Sequence, residues 1–230
     1  MRLIYAVFIL LALMTLAQCQ HTAEDWGSKG NVLTAQGRYD EAIKAQEKAI
    51  ELDPNNPNYW CWKGNDLAAQ GRYDEAINAY DVAIELHSNN HYTNAQLLKH
   101  KGEALSKQGK YDEAIEAFDK SIELDPRDSE TWNSKGGALG NQGRYEEALH
   151  ACEKAIELYP KYAMAWNNKA AALLYLGKSE EALQASEKAI ELDPKFAWPW
   201  NNKGEALKAL GRTTEANAAF AKANELGYKG

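Results

Sequence analysis

The amino-acid sequence predicts an all-α fold, in which antiparallel helix pairs stack into an α-solenoid. A heptapeptide that begins with Gly recurs along the chain, at a period of 34 residues in all but one step. Within each period the apolar residues follow helical spacing. A Gly stands where the first helix of each period would end, and a Pro stands where the second would end in four of the periods.

Composition excludes several other classes of protein. The 230 residues carry 26 Lys and Arg against 33 Asp and Glu, a net charge of −7, and 45% are apolar. An apolar content of this size excludes a disordered chain, and three Cys are too few for a disulfide scaffold. A pI near 5.4 with no basic block argues against nucleic-acid binding.

The first 19 residues are predicted to be a signal peptide or a membrane anchor. Arg2 precedes an uncharged run from Leu3 to Ala17, which as a helix would span roughly 22 Å and fall short of a ~30 Å bilayer core. Cleavage after Ala17 would release an exported protein. The run before Cys19 also resembles a lipobox, although Gln18 departs from that pattern, so cleavage, lipidation of Cys19 and retention as an anchor remain open. We expect an exported protein, secreted or membrane-anchored, with a non-exported chain as the remaining alternative.

The heptapeptide GRYDEAI at 37–43 has five later versions, which start at residues 71, 109, 143, 177 and 211. This pattern resembles the tetratricopeptide repeat (TPR), and it covers nearly all of the chain beyond the N-terminal segment. We place a TPR domain at 23–230, with repeats at 23–56, 57–90, 95–128, 129–162, 163–196 and 197–230. The resemblance implies a right-handed superhelix of helix pairs, A and B, with a concave groove that holds a peptide or a partner helix.

Counting positions 1 to 34 within a repeat gives helix A a buried stripe. Position 4 is Trp in five repeats, position 8 is Gly or Ala, and position 11 is Leu throughout, all within about 60° of one another on a helix. Gly or Ala at position 8 would let the partner helix approach closely. The Tyr residues at position 17 (Tyr39, Tyr73, Tyr111 and Tyr145) are interpreted, like the Trp residues at position 4, as repeat packing.

Every repeat carries Lys at position 7, which lies about 60° from the buried stripe. A side chain there would run along the helix surface and place its ammonium in water or against an acidic neighbour. A cationic row that binds an acidic ligand is the alternative interpretation. The flanking position of these lysines favours the first.

The face of helix A opposite the buried stripe is rich in Asn, with a few aromatic residues. An amide both donates and accepts hydrogen bonds, so it can pair with the backbone of an extended chain. Asn168 and Asn202 resemble rungs of the asparagine ladder that some members of the family carry. The predicted peptide-binding residues are Asn31, Trp62, Asn65, Lys99, His100, Asn133, Asn167, Asn168, Tyr175, Trp198, Asn201 and Asn202.

Few features of the sequence favour a carboxylate clamp, a catalytic site or a metal site. The carboxylate clamp of chaperone-tail binders requires Lys, Asn and Arg at set positions, and Gly27, Trp62, Gln96 and His100 occupy four of them. No nucleophile motif, phosphate loop or metal motif occurs, and the repeats leave no segment for a catalytic domain. We therefore expect no enzyme activity, no cofactor and no metal, even at the histidines 87, 91 and 100.

The array has one irregular junction and one irregular end. Four extra residues, 91–94, separate repeats two and three, which makes this junction the predicted site of a kink. In the last repeat the apolar stacking positions hold Asn217 and Asn224. We expect these polar residues to cap the array, to leave the chain complete at Gly230 and to keep the protein monomeric.

The sequence thus predicts a non-enzymatic scaffold or adaptor that binds a protein or peptide partner. A structural or self-assembly spacer is one alternative. A carbohydrate or small-ligand binder that uses the groove aromatics is another.

Overall fold

The computed structural model describes residues 22–86 and 91–229, and within these ranges every regular element is an α-helix. The helices are α1 (Ala23–Ala35), α2 (Tyr39–Leu52), α3 (Pro57–Ala69), α4 (Tyr73–Leu86), α5 (His91–Lys107), α6 (Tyr111–Leu124), α7 (Ser129–Asn141), α8 (Tyr145–Leu158), α9 (Ala163–Tyr175), α10 (Ser179–Leu192), α11 (Ala197–Ala209) and α12 (Thr213–Glu225). Consecutive helices pack as antiparallel pairs, which confirms the predicted all-α class.

The chain divides into two compact units, residues 1–87 and 88–230. The first unit contains helices α1 to α4 and the second contains α5 to α12. In the second unit each helix B also packs on the following helix A, and α9 contacts both α7 and α11. The A helices of repeats four, five and six therefore lie side by side.

The turn within each helix pair depends on the Gly at position 15. Gly143, between α7 and α8, has φ 79°, in the left-handed region that side chains with a Cβ disfavour. The main-chain N–H of Arg144 then donates to the Leu139 carbonyl at 3.0 Å, which satisfies a carbonyl at the end of α7. The equivalent Gly of every other repeat has φ between 73° and 77°. The predicted end of helix A is thus confirmed.

The Gly at position 8 lets a buried side chain of helix B lie against the backbone of helix A. A Cβ added to Gly102 would stand 2.6 Å from the Phe118 ring, and one added to Gly136 would stand 2.7 Å from the Cys152 Sγ. Both partners, at position 24 of helix B, are fully buried. Repeat five has Ala170 at position 8, and there position 24 is the small Ser186.

In repeats two, four, five and six, Trp at position 4 makes a hydrogen bond to the end of the repeat before it. The indole Nε1–H of Trp132 donates to the Pro126 carbonyl at 3.1 Å, and that of Trp166 donates to the Pro160 carbonyl at 2.9 Å. The Lys135 ammonium lies 5.6 Å from the centre of the Trp132 ring and pairs with Asp119 on helix B of the previous repeat. This position-7 lysine therefore contacts an acidic neighbour, as the first interpretation predicted.

The core of the last two repeats is aliphatic and rich in Ala. Small side chains from helices A and B allow the backbones to approach, and Trp166 and Trp200 close the edges of this core. Its fully or nearly fully buried members include Ala170, Leu173, Ala182, Ala206, Leu207 and Ala216.

The predicted N-terminal segment, with Cys19, lies outside the described residues, as do the side chains of His87 and His91. Of the helices in the described ranges, none has both the length and the apolar character that crossing a membrane requires. Asn217 and Asn224 are exposed on α12. The export, kink and capping hypotheses remain predictions.

Candidate functional site

A cavity of about 730 Å³ opens between the A helices of repeats four, five and six, entirely within the second unit. Gly137 and Gly140 of α7 and Ala171 of α9 line part of it, and their small size leaves the room that the cavity occupies. The polar lining residues are Asn141, Asn167, Asn168, Ser179, Asn201, Asn202 and Glu205.

Two aromatic pairs line the cavity. Tyr145, at the start of α8, stacks on Tyr175, at the end of α9, with ring centres 4.4 Å apart and an angle of 4° between the planes. Trp198 of α11 meets Tyr228 edge to face, at 4.9 Å and 81°. Tyr175 is 71% exposed and Trp198 is 50% exposed, so both rings offer apolar area to a ligand.

Asparagine amides connect the three A helices along the cavity. The amide of Asn202 donates to Asn167 Oδ1 at 3.0 Å, and that of Asn168 donates to Asn133 Oδ1 at 3.0 Å. In both contacts, position 6 of one repeat donates to position 5 of the repeat before it. Asn201 occupies position 5 of repeat six, and its side chain makes no hydrogen bond to the described residues.

This contact buries the residue at position 5. Asn133 is only 4% exposed and Asn167 only 7% exposed, although helical spacing placed both on the open face. Helical spacing describes one helix by itself, whereas position 5 is covered by the next helix A. Asn167 still lines the cavity. Asn133 lies outside the lining and accepts a hydrogen bond from the lining residue Asn168.

Lys99, at position 5 of repeat three, is buried and forms an ion-pair cluster with the largely buried Asp128 and the exposed Glu130. Its ammonium lies 3.1 Å from Asp128 and 2.8 Å from Glu130. Burial acts to lower the pKa of Lys99, but the hydrogen bond with Glu130 and the charge of Asp128 outweigh burial, so the pKa is raised. Burial likewise acts to raise the pKa of Asp128, yet hydrogen bonds from Thr131 and Lys99 and the lysine's charge keep it lowered. Lys99 is therefore charged and already paired.

His100 and the predicted residues of the first unit also have partners. His100 Nδ1 lies 3.3 Å from Glu103. In the first unit, Asn65 accepts from the Tyr80 hydroxyl at 2.9 Å, and Asn31 accepts from Gln46 at 3.4 Å. The Trp62 ring packs over Gly27, where an added Cβ would stand 3.1 Å from the ring.

Comparison with known families decides the identity of the repeats. Profiles described as TPR repeat and tetratricopeptide repeat match overlapping segments that together run from residue 30 to residue 226. The matched segments are 30–65, 62–129, 100–163, 151–184, 171–211 and 199–226. The chain belongs to the tetratricopeptide repeat family.

Solved structures of TPR proteins resemble this chain over most of its length. A crystal structure of MamA is 28% identical with a TM-score of 0.62, and the match covers 71% of this chain and 93% of MamA. YrrB is 24% identical with a TM-score of 0.64, covering 81% and 94%. A TPR protein from Parabacteroides merdae is 18% identical with a TM-score of 0.74, covering 90% and 80%. No curated protein gives a significant match.

Six of the twelve predicted site residues of this TPR chain line the cavity. They are Asn167, Asn168, Tyr175, Trp198, Asn201 and Asn202. Lys99, His100 and Asn133 lie in the same unit outside the lining, and Asn31, Trp62 and Asn65 belong to the first unit.

Tyr145 and Tyr228 also line the cavity, but neither is among the predicted site residues, and the position of Tyr145 is the one interpreted above as repeat packing. Tyr145 has position-17 counterparts in three other repeats, but in repeat four its stacking partner is an aromatic residue, Tyr175, at position 13 of repeat five. Tyr228 takes the place of the usual Pro at position 32. The replacement of Pro by an aromatic residue at position 32 was an available signal for Tyr228, whereas no signal in the sequence of repeat four marked Tyr145.

Aromatic rings and side-chain amides supply most of the functional groups in the lining of the cavity. The lining includes no cysteine among its described residues, and Glu205 is its one ionisable carboxylate. The two described thiols are poor nucleophiles, because burial raises the pKa of Cys152 to about 12 and that of Cys61 to about 11. Aromatic faces and amides suit the recognition of a peptide backbone and its apolar side chains.

Proposed function

We propose that this protein is an exported, non-enzymatic adaptor that holds an extended segment of a partner protein in the cavity of repeats four to six. Membership in the TPR family supports an interaction scaffold. YrrB, one of the structurally similar proteins, is described as a TPR protein with an unusual peptide-binding site. The single observation that carries the proposal is the combination of exposed aromatic pairs and a row of amides in one cavity.

The mode of binding follows from the lining. Exposed Tyr175 and Trp198 would cover apolar side chains of the segment, and the free amide of Asn201 would pair with its backbone. No Lys or Arg is among the described residues that line the cavity. This supports binding of an internal segment rather than a C-terminal carboxylate, which would need a cationic clamp.

A peptide library tests the proposal. Nine-residue peptides with acetylated and amidated ends would be selected on the full-length protein, and the affinity of the best binders measured by titration calorimetry. Replacing Tyr175 or Trp198 with Ala should weaken binding by about 2 kcal/mol, roughly thirtyfold in Kd.

Tyr159→Ala is the matched control, because Tyr159 is 50% exposed and lies outside the cavity lining. Equal losses in the control and the cavity variants would refute the site. So would a library that yields no binder, and recovery of a neutral oligosaccharide instead would favour the carbohydrate alternative.

Export is a separate part of the proposal. It rests on the apolar segment before Cys19 and is tested by the mass of the mature protein from its native host. A chain that retains Met1 and stays in the cytoplasm would contradict it.

A further inference from the structure

The side-chain amide of Asn202 has only one orientation that satisfies its neighbours. Its Nδ2 lies 3.3 Å from the main-chain carbonyl oxygen of Asn167, and a carbonyl oxygen can only accept a hydrogen bond. The NH₂ group must therefore face Asn167. The oxygen of Asn202 then points away from that contact, and it accepts no hydrogen bond from the described part of the chain.

The orientation of Asn202 fixes that of the remaining amides. Because Asn167 Oδ1 accepts from Asn202, its own Nδ2 donates to Asn168 Oδ1 at 3.3 Å. Asn168 then donates to Asn133 at 3.0 Å, and Asn133 donates to the Tyr162 hydroxyl at 3.4 Å. Hydrogen bonds that run in one direction polarise one another, so the unused oxygen of Asn202 is a strengthened acceptor at the head of the chain.

One face of α11 brings this acceptor together with a carboxylate and an aromatic ring. Trp198, Asn202 and Glu205 follow the spacing i, i+4, i+7 and all line the cavity. Asn202 and Glu205 are about 4.5 Å apart along the helix axis. Glu205 is exposed and has no ion-pair partner among the described residues, whereas Glu147 and Glu215 are both paired with Arg.

We propose that this face binds an arginine side chain of the partner segment. Its guanidinium would donate to the Glu205 carboxylate and to Asn202 Oδ1, with its aliphatic stem or its plane against the Trp198 ring. Arginine fits better than lysine because its planar fork presents several N–H donors to two acceptors at once and stacks on aromatic rings. This inference rests on the proposed function, and it names the one charged residue that the bound segment should carry.

The test compares arginine with its neutral isostere. Among nine-residue end-blocked peptides selected on the wild-type protein, arginine should be enriched at one position. Replacing that arginine with citrulline, which keeps the shape and loses the charge, should weaken binding about tenfold. Lysine at that position should bind more weakly than arginine, and added salt should reduce the arginine advantage.

The protein variant Glu205→Gln should reproduce the citrulline loss and should not add to it, because both changes remove the same ion pair. Glu123→Gln is the matched control, because Glu123 is exposed on α6 and lies outside the cavity. Its substitution changes the net charge by the same amount as Glu205→Gln. It should leave the affinity for the arginine peptide unchanged.

The outcomes separate this inference from the proposed function. Peptides that bind, lose affinity with Trp198→Ala and show no preference for arginine would overturn the arginine site and leave the peptide cavity standing. An equal affinity of the arginine and citrulline peptides would overturn it as well. Failure of every peptide to bind would overturn both proposals.

Discussion

Gly136→Ala is the substitution whose effect the fold predicts most directly. The new Cβ would stand 2.7 Å from the Cys152 Sγ and 3.3 Å from the Ala148 carbonyl oxygen on α8. Cys152 is fully buried, and the Ala148 oxygen belongs to the helix backbone. Relief of the clash therefore requires a new rotamer for Cys152 inside a packed core or a shift of α7 away from α8.

The adjacent substitution Gly137→Ala serves as the reference from which the energetic cost of this clash can be measured. A Cβ at Gly137 would have its nearest neighbour at 3.9 Å, an ordinary contact with the Asn168 amide. Both glycines lie inside α7, so both substitutions gain about 1 kcal/mol of helix propensity. Overpacking costs about 1–3 kcal/mol and affects Gly136 alone. The free energy of unfolding should therefore be about 1–3 kcal/mol lower for Gly136→Ala than for Gly137→Ala.

The measurement is urea unfolding followed by far-UV circular dichroism, with the two midpoints compared at equal slope. Adding Cys152→Ser to Gly136→Ala should recover part of the loss, because it recreates the Ala170 and Ser186 pair of repeat five. A Gly136→Ala protein as stable as Gly137→Ala would refute the account of how helices A and B pack.

Two further predictions concern polar contacts of the second unit. Asn168→Ala should lower the free energy of unfolding by about 1–3 kcal/mol, because it leaves the buried Asn133 oxygen without its donor, whereas Asn201→Ala should have almost no effect in the same urea assay. Because the pKa of Asp128 is lowered in the folded protein, its ionised carboxylate stabilises the fold at pH values above the ordinary pKa of 3.8. This stabilisation is lost as the pH falls through the lower pKa of the folded state. Because the pKa of Lys99 is raised in the folded protein, its ammonium stabilises the fold at pH values below the ordinary pKa of 10.5. This stabilisation is lost as the pH rises through the higher pKa of the folded state. When the free energy of unfolding is measured across pH, Lys99→Met should therefore not show the loss of stability at high pH. A dependence on pH identical to that of the wild-type protein would contradict the ion-pair cluster.

The sequence predicted the features that depend on one repeat alone. The Gly at position 15, here Gly143, ends helix A because only its positive φ makes the turn. Trp132 at position 4 and its neighbour Lys135 share a surface because helical spacing places them three residues apart. Such features can be predicted because they recur with the period and involve residues close in sequence or in register.

Features that depend on which repeat follows which could not be predicted. Asn167 and Asn202 are 35 residues apart, and their contact depends on how two A helices lie side by side. The stacking of Tyr145 on Tyr175 could not be predicted for the same reason, since it also joins residues of two successive repeats. A repeat period shows that residues are equivalent, but it does not show which residue of the next repeat each one touches.

Photocrosslinking shows directly whether the cavity of repeats four to six holds a peptide segment. A selected peptide carrying a benzophenone side chain would be irradiated on the full-length protein, and the crosslinked residues identified by mass spectrometry. Crosslinks to Tyr175, Trp198 and Asn201, which line the cavity, are the expected result. Crosslinks confined to the B helices, such as α8 and α10 outside their first turns, would contradict it.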